Sequence, residues 1–277
     1  MRNSHIGGRF GLAAWLLACS WTVAPAVVQA EDIVTDRPDF TESAVVVPRG
    51  MVQIEAGFTW TDPGDPQPPV PPEEGEEPPP PLGERSDDFK EFTTAPEVLI
   101  RWGFADNLEL RVGLPNQIEI SDGPSGVGDG SVGVKWQLGP NRFGLDYALI
   151  AGVSVPIGDS EFTSDGVDPS LIFIVGDDIN GKWSYGAQVG GGVATGGSED
   201  EAFVLASFAF ARQLGRRGST FFEFFGEDQE STPSSVLFHH GYAWQVNSNF
   251  QLDLRMGVGL TDESPDGLFG AGVSWRW

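Results

Sequence analysis

The chain has 277 residues and a formal charge of −24. That balance excludes a polyanionic partner such as nucleic acid, which the chain would repel. Its single cysteine, Cys19, excludes a disulfide framework.

The chain opens with Arg2 and Arg9 before and beside an apolar run, Phe10 to Ala18, and with Val28-Gln29-Ala30 ahead of Glu31. A basic front, a short apolar stretch and a small-residue cleavage site predict a secretory signal peptide over residues 1–30. The run is too short to cross a bilayer as a helix. Leu17-Ala18-Cys19 offers a lipoprotein alternative with Cys19 acylated, but the cut after Ala30 is the cleaner one, and it removes the only cysteine. Residues 31–50 form a separate segment, expected in the periplasm or as a plug within a barrel, with Ala44-Val-Val-Val47 as the candidate plug element.

From residue 51 the chain alternates with period two, the signature of half-buried strands. Val52, Ile54, Ala56, Phe58 and Trp60 interleave with Gln53, Glu55, Gly57 and Thr59. Residues 62–88 interrupt this with ten prolines and nine acidic residues, a composition that cannot bury a core or pair in a sheet and reads as a solvated external loop. Val98, Ile100, Trp102 and Phe104 then alternate with Glu97, Arg101 and Gly103, and Leu108, Leu110, Val112 and Leu114 with Glu109, Arg111 and Gly113. Keeping both apolar sets on one face requires an odd connection, so Ala105-Asp-Asn107 is expected to be a three-residue turn with Asn107 left-handed. Similar ribbons occupy 131–138, 143–155 and 250–260, with weaker ones near 170–176, 183–194, 202–211, 220–226 and 236–246. The last strand runs from Phe269 to Trp277, with Phe269, Val273, Trp275 and Trp277 on its apolar face.

Twelve strands with connections that alternate between short and mostly longer predict an all-β fold: a transmembrane antiparallel barrel of outer-membrane type with both termini on the periplasmic side. Tryptophans near ribbon ends fit aromatic girdles at the membrane boundaries. The apolar faces would meet lipid and the polar faces the lumen. His240 fits poorly on a lipid face and is expected at a strand end or a bulge.

The inward phase holds Glu55, Glu97, Arg101, Glu109, Arg111, Lys135, Asp146, Glu223, Asp253, Arg255 and Arg276. Arg101 should stand opposite Arg111 with Glu109 shared between them, because opposed like charges need a carboxylate nearby. Such a set is either a bracing salt-bridge network or a selectivity constriction. A second inward group is apolar: Ile172, Ile174, Phe203, Leu205, Phe221 and Phe225. It forms a greasy wall, read as a path for apolar solutes or the seat of a plug.

Thr35-Asp-Arg-Pro-Asp-Phe-Thr-Glu42, Pro48-Arg-Gly50 and Gln53-Ile-Glu-Ala-Gly-Phe58 resemble the opening of an outer-membrane family of transporters associated with phenol degradation by the meta-cleavage pathway. Pro96-Glu-Val-Leu-Ile-Arg-Trp-Gly103, Asn107-Leu-Glu-Leu-Arg111, Gly126-Val-Gly-Asp129, Gly133-Val-Lys135 and Val155-Pro-Ile-Gly158 extend the resemblance to the chain's end. It implies a barrel that passes small, often aromatic, compounds.

The functional expectation is passive diffusion of small hydrophobic or aromatic solutes, with no cofactor, metal or catalysis. The expected partners are the outer-membrane bilayer, its assembly machinery (which would read the terminal aromatic) and the solute. The competing class is a closed structural or surface-interaction barrel. A barrel hydrolase using His239 or His240 is the third, and no serine motif supports it. Asp177-Asp178 reads as a turn, where Asp serves the backbone.

Overall fold

The computed structural model describes residues 32–64, 90–140, 144–197, 200–230 and 232–277. The expected signal peptide, Cys19 and most of the acidic proline-rich loop lie outside these residues. Among the described residues no helix is long and apolar enough to cross a membrane, which leaves crossing by strands open.

Among the described residues fourteen strands form one sheet. They are β1 (Val52–Asp62), β2 (Phe92–Ala105), β3 (Leu108–Leu114), β4 (Gln117–Ile120), β5 (Ser125–Val127), β6 (Gly130–Gln137), β7 (Asp146–Val155), β8 (Asp168–Asp178), β9 (Trp183–Ala194), β10 (Glu201–Leu214), β11 (Gly218–Gln229), β12 (Thr232–Asn247), β13 (Phe250–Gly259) and β14 (Gly267–Arg276). β1 pairs with β14 on one side and β2 on the other, so the sheet closes. β4 and β5 form a small hairpin on the outer end of β2, leaving twelve of the fourteen strands as an antiparallel barrel. The sequence reads that hairpin as loop because its strands are too short to show a period.

Burial is inverted relative to a protein folded in water. On β13, Gln251, Asp253 and Arg255 are buried while Leu252, Leu254 and Met256 are exposed. On β14, Ser274 and Arg276 are buried while Phe269, Val273 and Trp275 are exposed, as is Trp277 just after it. An apolar exterior around a polar interior is stable when hydrocarbon is the solvent. The seam ends on a reciprocal pair: the Trp277 amide donates to the Val52 carbonyl (2.9 Å) and the Val52 amide to the Trp277 carbonyl (3.0 Å). Closure of this kind removes both sheet edges.

Three local expectations are corrected. Ala105 pairs with Leu108, so the β2–β3 turn has two residues and the odd residue is a bulge between Gly103 and Ala105. The parity survives, and Asn107 is not left-handed; among the described residues Asp122 and Asp165 are the non-glycine ones with positive φ. His240 lies within β12, away from both of the register shifts that touch that strand, opposite Phe222 on one side and Met256 on the other. It is tolerated outside because its Nδ1 lies 2.7 Å from the Phe221 carbonyl and its ring stacks on Phe222 at 4.7 Å. The β11–β12 connection, expected to be long, lies between Gln229 and Thr232, since both strands run past the ends that their apolar pattern marks.

Candidate functional site

Residues 32–50 run inside the barrel without joining the sheet. Pro38 and Pro48 lack amide donors, and the segment has no alternation to sustain a strand. Its backbone polar groups must therefore find other partners, since a buried amide without one is costly. The inward side chains of the wall supply them. Glu55 accepts from the Asp36 and Arg37 amides (3.1 and 3.0 Å), and Glu223 from those of Phe40 and Thr41 (2.9 and 2.6 Å). Gln188 accepts from Glu42, Gln137 from Val46 and Glu109 from Val47. In the opposite sense, Gln53 donates to the Val34 carbonyl, Gln188 to Phe40 and Gln245 to Ile33.

On the wall of β1, β2, β3 and β6 the contacts are ionic. Arg101 and Arg111 are direct cross-strand neighbours. Arg101 donates from Nε and Nη2 to the two oxygens of Glu109 (2.9 and 3.0 Å), from Nη1 to Glu55 (2.8 Å), and to the Val34 and Val45 carbonyls. All five of its N–H groups are thereby used, which makes burial of the guanidinium tolerable. Lys135 donates to both oxygens of Asp36 at 2.9 Å. Arg111 pairs with Asp36 and holds Glu42 with both contacts at 2.8–2.9 Å. Around Asp36 the wall contributes three cations (Arg101, Arg111, Lys135) and two anions (Glu55, Glu109), while its third anion, Glu97, is held by Arg37 and Arg255; Asp36 and Glu42 of the inserted segment complete the cluster. Burial by itself would raise the Asp36 carboxyl, but Arg101, Lys135 and Arg111 around it hold it well below the usual carboxylate range.

Arg37 reaches the other way, to Glu97 (3.0 Å) and Asp253 (3.4 Å). Gly57 of β1 and Gly272 of β14 are cross-strand partners, and a Cβ on either would collide with the Arg37 side chain. The guanidinium thus lies flat on bare backbone, a close approach only glycine permits. Arg255 reinforces the site by bonding Thr59 and Glu97 and placing its charge 5.4 Å from the Phe40 ring.

On the opposite wall, Phe40 packs on Phe225 (4.7 Å) and His239 (4.9 Å). The Thr41 hydroxyl bonds Ser207 and Glu223, while Ala44 sits in an apolar cluster with Ala148, Ile150 and Ile174, bordered by Ile172. His239 Nδ1 contacts Glu223 at 2.8 Å, and its Nε2 is buried without a hydrogen-bond partner. Among the described residues, no group of three or more His, Cys, Asp or Glu is placed to hold a metal ion.

Of the charged residues singled out in the sequence, Glu55, Arg101, Glu109, Arg111, Lys135, Glu223, Asp253 and Arg255 are buried inside, and Glu97 joins them through Arg37. Asp146 stands apart, lining a cavity with Asp39, Asp177 and Asp178. Arg276 is also apart: it binds Asn249 and the Ser248 carbonyl, bracing the β12–β13 turn. Asp177 and Asp178, expected in a turn, instead end β8, paired with Tyr185 and Ser184, and Asp178 caps the turn that follows by accepting from the Asn180 and Gly181 amides. Ile172, Ile174, Phe203, Leu205, Phe221 and Phe225 all point inward; Phe225 and Ile174 meet the inserted segment, whereas Phe203 packs over Gly192. Sequence reasoning missed Asp36, Arg37, Phe40, Thr41 and Glu42 as side chains of the site. The charges singled out in the sequence, six acids against five bases, carry no imbalance that calls for Asp36 or Glu42, and an irregular segment has no period to reveal them.

Open space remains on both sides of the segment. Towards the long loops, a cavity of roughly 480 Å³ is lined by Phe40, Phe92, Phe225, Leu237 and Leu268, with Glu97, Glu227 and Arg255 among its polar groups. Towards the short turns, two cavities of roughly 390 and 400 Å³ share Val34, Thr35, Asp39, Asp178, Ser184 and Ala211 in their linings.

These features define a transmembrane β-barrel of outer-membrane type whose lumen is occupied by the residues preceding its first strand. The chain belongs to the family described as "Putative MetA-pathway of phenol degradation", whose model matches residues 35–277. No curated protein matches the chain. Among solved structures it is similar to an outer membrane channel from Pseudomonas putida F1, at 12% identity over 88% of this chain and 100% of that one, with a TM-score of 0.59. It is also similar to the NanC porin, at 6% identity over 81% of this chain and 98% of the other, with a TM-score of 0.53. At these identities the likeness establishes the shared barrel fold.

Proposed function

We propose that the protein is a passive channel for small hydrophobic or aromatic solutes, with residues 31–50 as a plug whose rearrangement opens the path. The observation that carries this reading is the outer cavity, where Phe40, Phe92 and Phe225 with Leu237 and Leu268 give a chamber directly above the plug an apolar side facing Glu97, Glu227 and Arg255. Its volume lies in the range of small-molecule sites and leaves room for a single aromatic ring. The family's link to phenol degradation and the channel named for the P. putida structure support the same class. Export by residues 1–30, and reading of Trp277 by the assembly machinery, belong to this proposal.

The test is uptake into liposomes carrying the purified protein. Phenol-sized solutes should enter faster than sugars of similar mass, and deleting residues 32–47 should raise planar-bilayer conductance. Equal, background-level entry of both solutes would remove the transport reading. The second reading, a closed barrel, is favoured by how completely the wall satisfies the inserted segment; deletion without any gain in conductance would support it.

A further inference from the structure

The outer surface carries one place where charge, aromatic rings and an apolar trough meet. The β10–β11 turn, at the short-turn end, holds Arg216 and Arg217, both exposed. They line a cavity of roughly 670 Å³ together with Tyr242 and Trp244, and Asp32 is its one acidic lining residue. In a chain with a formal charge of −24, the β10–β11 turn is locally basic. The neighbouring turn holds Lys182, whose carbonyl accepts from the Gln213 amide at 2.8 Å, together with Asp178, and Arg212 lies over the Trp183 ring at 4.9 Å.

Tyr242 and Trp244 also begin a second, apolar groove of roughly 760 Å³. Strand register defines it. Trp244 pairs with Leu252, Leu252 with Val273 and Val273 with Ala56; one row further up, Tyr242 pairs with Leu254, Leu254 with Ala271 and Ala271 with Phe58. Ala56 and Ala271 are small residues among large ones, so they form the floor of a trough that climbs from the periplasmic rim towards mid-barrel. A basic, aromatic-edged head continuous with an apolar trough has the shape and polarity of one phospholipid.

We propose that this is a binding site for an anionic phospholipid of the periplasmic leaflet. Its phosphodiester is held by Arg216 and Arg217, its glycerol region lies against Tyr242 and Trp244, and one acyl chain lies over Ala56 and Ala271. Guanidinium groups match phosphate oxygens in geometry and charge. A zwitterionic headgroup would bring an ammonium towards the same two arginines and bind less well. The position of the site at the short-turn end selects the inner leaflet over the lipopolysaccharide of the outer one.

The test is native mass spectrometry of the full-length protein titrated with phosphatidylglycerol or phosphatidylethanolamine of equal chain length. Wild type should retain phosphatidylglycerol on the order of tenfold more tightly, as two interfacial cations allow. Arg216→Gln with Arg217→Gln should erase that preference, whereas Arg49→Gln, another exposed arginine, should leave it intact. Ala56→Leu with Ala271→Leu, which fills the trough, should weaken retention of both lipids. Equal retention by wild type, a preference that survives loss of Arg216 and Arg217, or competition by inorganic phosphate as strong as by the lipid would each overturn the proposal.

Discussion

The two walls that hold residues 32–50 do so by different physics. The β1–β3–β6 wall uses charge: Asp36 and Glu42 close a buried cluster that leaves Arg101, Arg111 and Lys135 in excess without them. The β7–β12 wall uses rings, hydroxyls and methyl groups around one buried carboxylate, Glu223, which takes the Phe40 and Thr41 amides, with Phe40 on Phe225 and Ala44 among Ala148, Ile150 and Ile174. Buried ion pairs add little net stability over an apolar alternative, yet breaking one is expensive because a charge is left behind. Ring and methyl contacts are lost in smaller steps. The difference makes the charged wall the anchor of the segment and the apolar wall the side from which it would first separate.

The sharpest test of that contrast is Asp36→Ala. It strips Lys135 and Arg111 of their shared carboxylate, and losing one partner of a buried cluster costs about 3–5 kcal/mol. The wall keeps Glu55 and Glu109 on Arg101, so the barrel should still show heat-modifiable mobility while bilayer conductance rises markedly. Phe40→Ala should act in the same direction but more weakly, since each ring pair contributes about 0.5–1.5 kcal/mol beyond its buried area. If Phe40→Ala opened the barrel more than Asp36→Ala, the assignment of anchor and yielding side would be reversed.

A third variant probes the apolar wall as a path. Phe203→Glu places a carboxylate inside while leaving the outer face and the Phe40–Phe225 contact untouched, and should slow entry of phenol-sized solutes several-fold with folding preserved. Unchanged uptake would show that solutes pass without touching this wall.

How much of this is legible without coordinates follows from period two. The pairing of Arg101 with Arg111 is fixed by parity on both sides of one turn, and parity is conserved even though the turn is built from two residues and a bulge. The inward phase of Ile174, Phe221 and Glu223 follows likewise from alternation. Asp36, Arg37 and Phe40 are invisible to it, because an irregular segment has no period and its direction is set by partners distant in sequence, such as Glu223, 183 residues from Phe40. Gly57 and Gly272 read as ordinary small lumen residues until Arg37 is seen lying across them. His240 misleads for a related reason: its compatibility with the outer face depends on the Phe221 carbonyl and the Phe222 ring of the neighbouring strand.

The smallest expected change in stability comes from the chain's end. Deleting Trp277 removes the reciprocal hydrogen bonds with Val52 and the contact with the Trp275 ring at 5.1 Å. Each net hydrogen bond contributes about 0.5–1.5 kcal/mol, while the β1–β14 register from Gln53–Arg276 to Asp62–Gly267 stays complete. The truncated chain, refolded into lipid alone, should therefore resist urea almost as wild type does and keep the same conductance. In cells its appearance in the outer membrane should be delayed, because the exposed terminal indole, half-open to the bilayer boundary, is the part of the strand that the finished seam uses least. A normal rate of assembly in cells would reduce Trp277 to a boundary anchor, and an equal delay in lipid alone would place the defect in seam closure rather than in recognition.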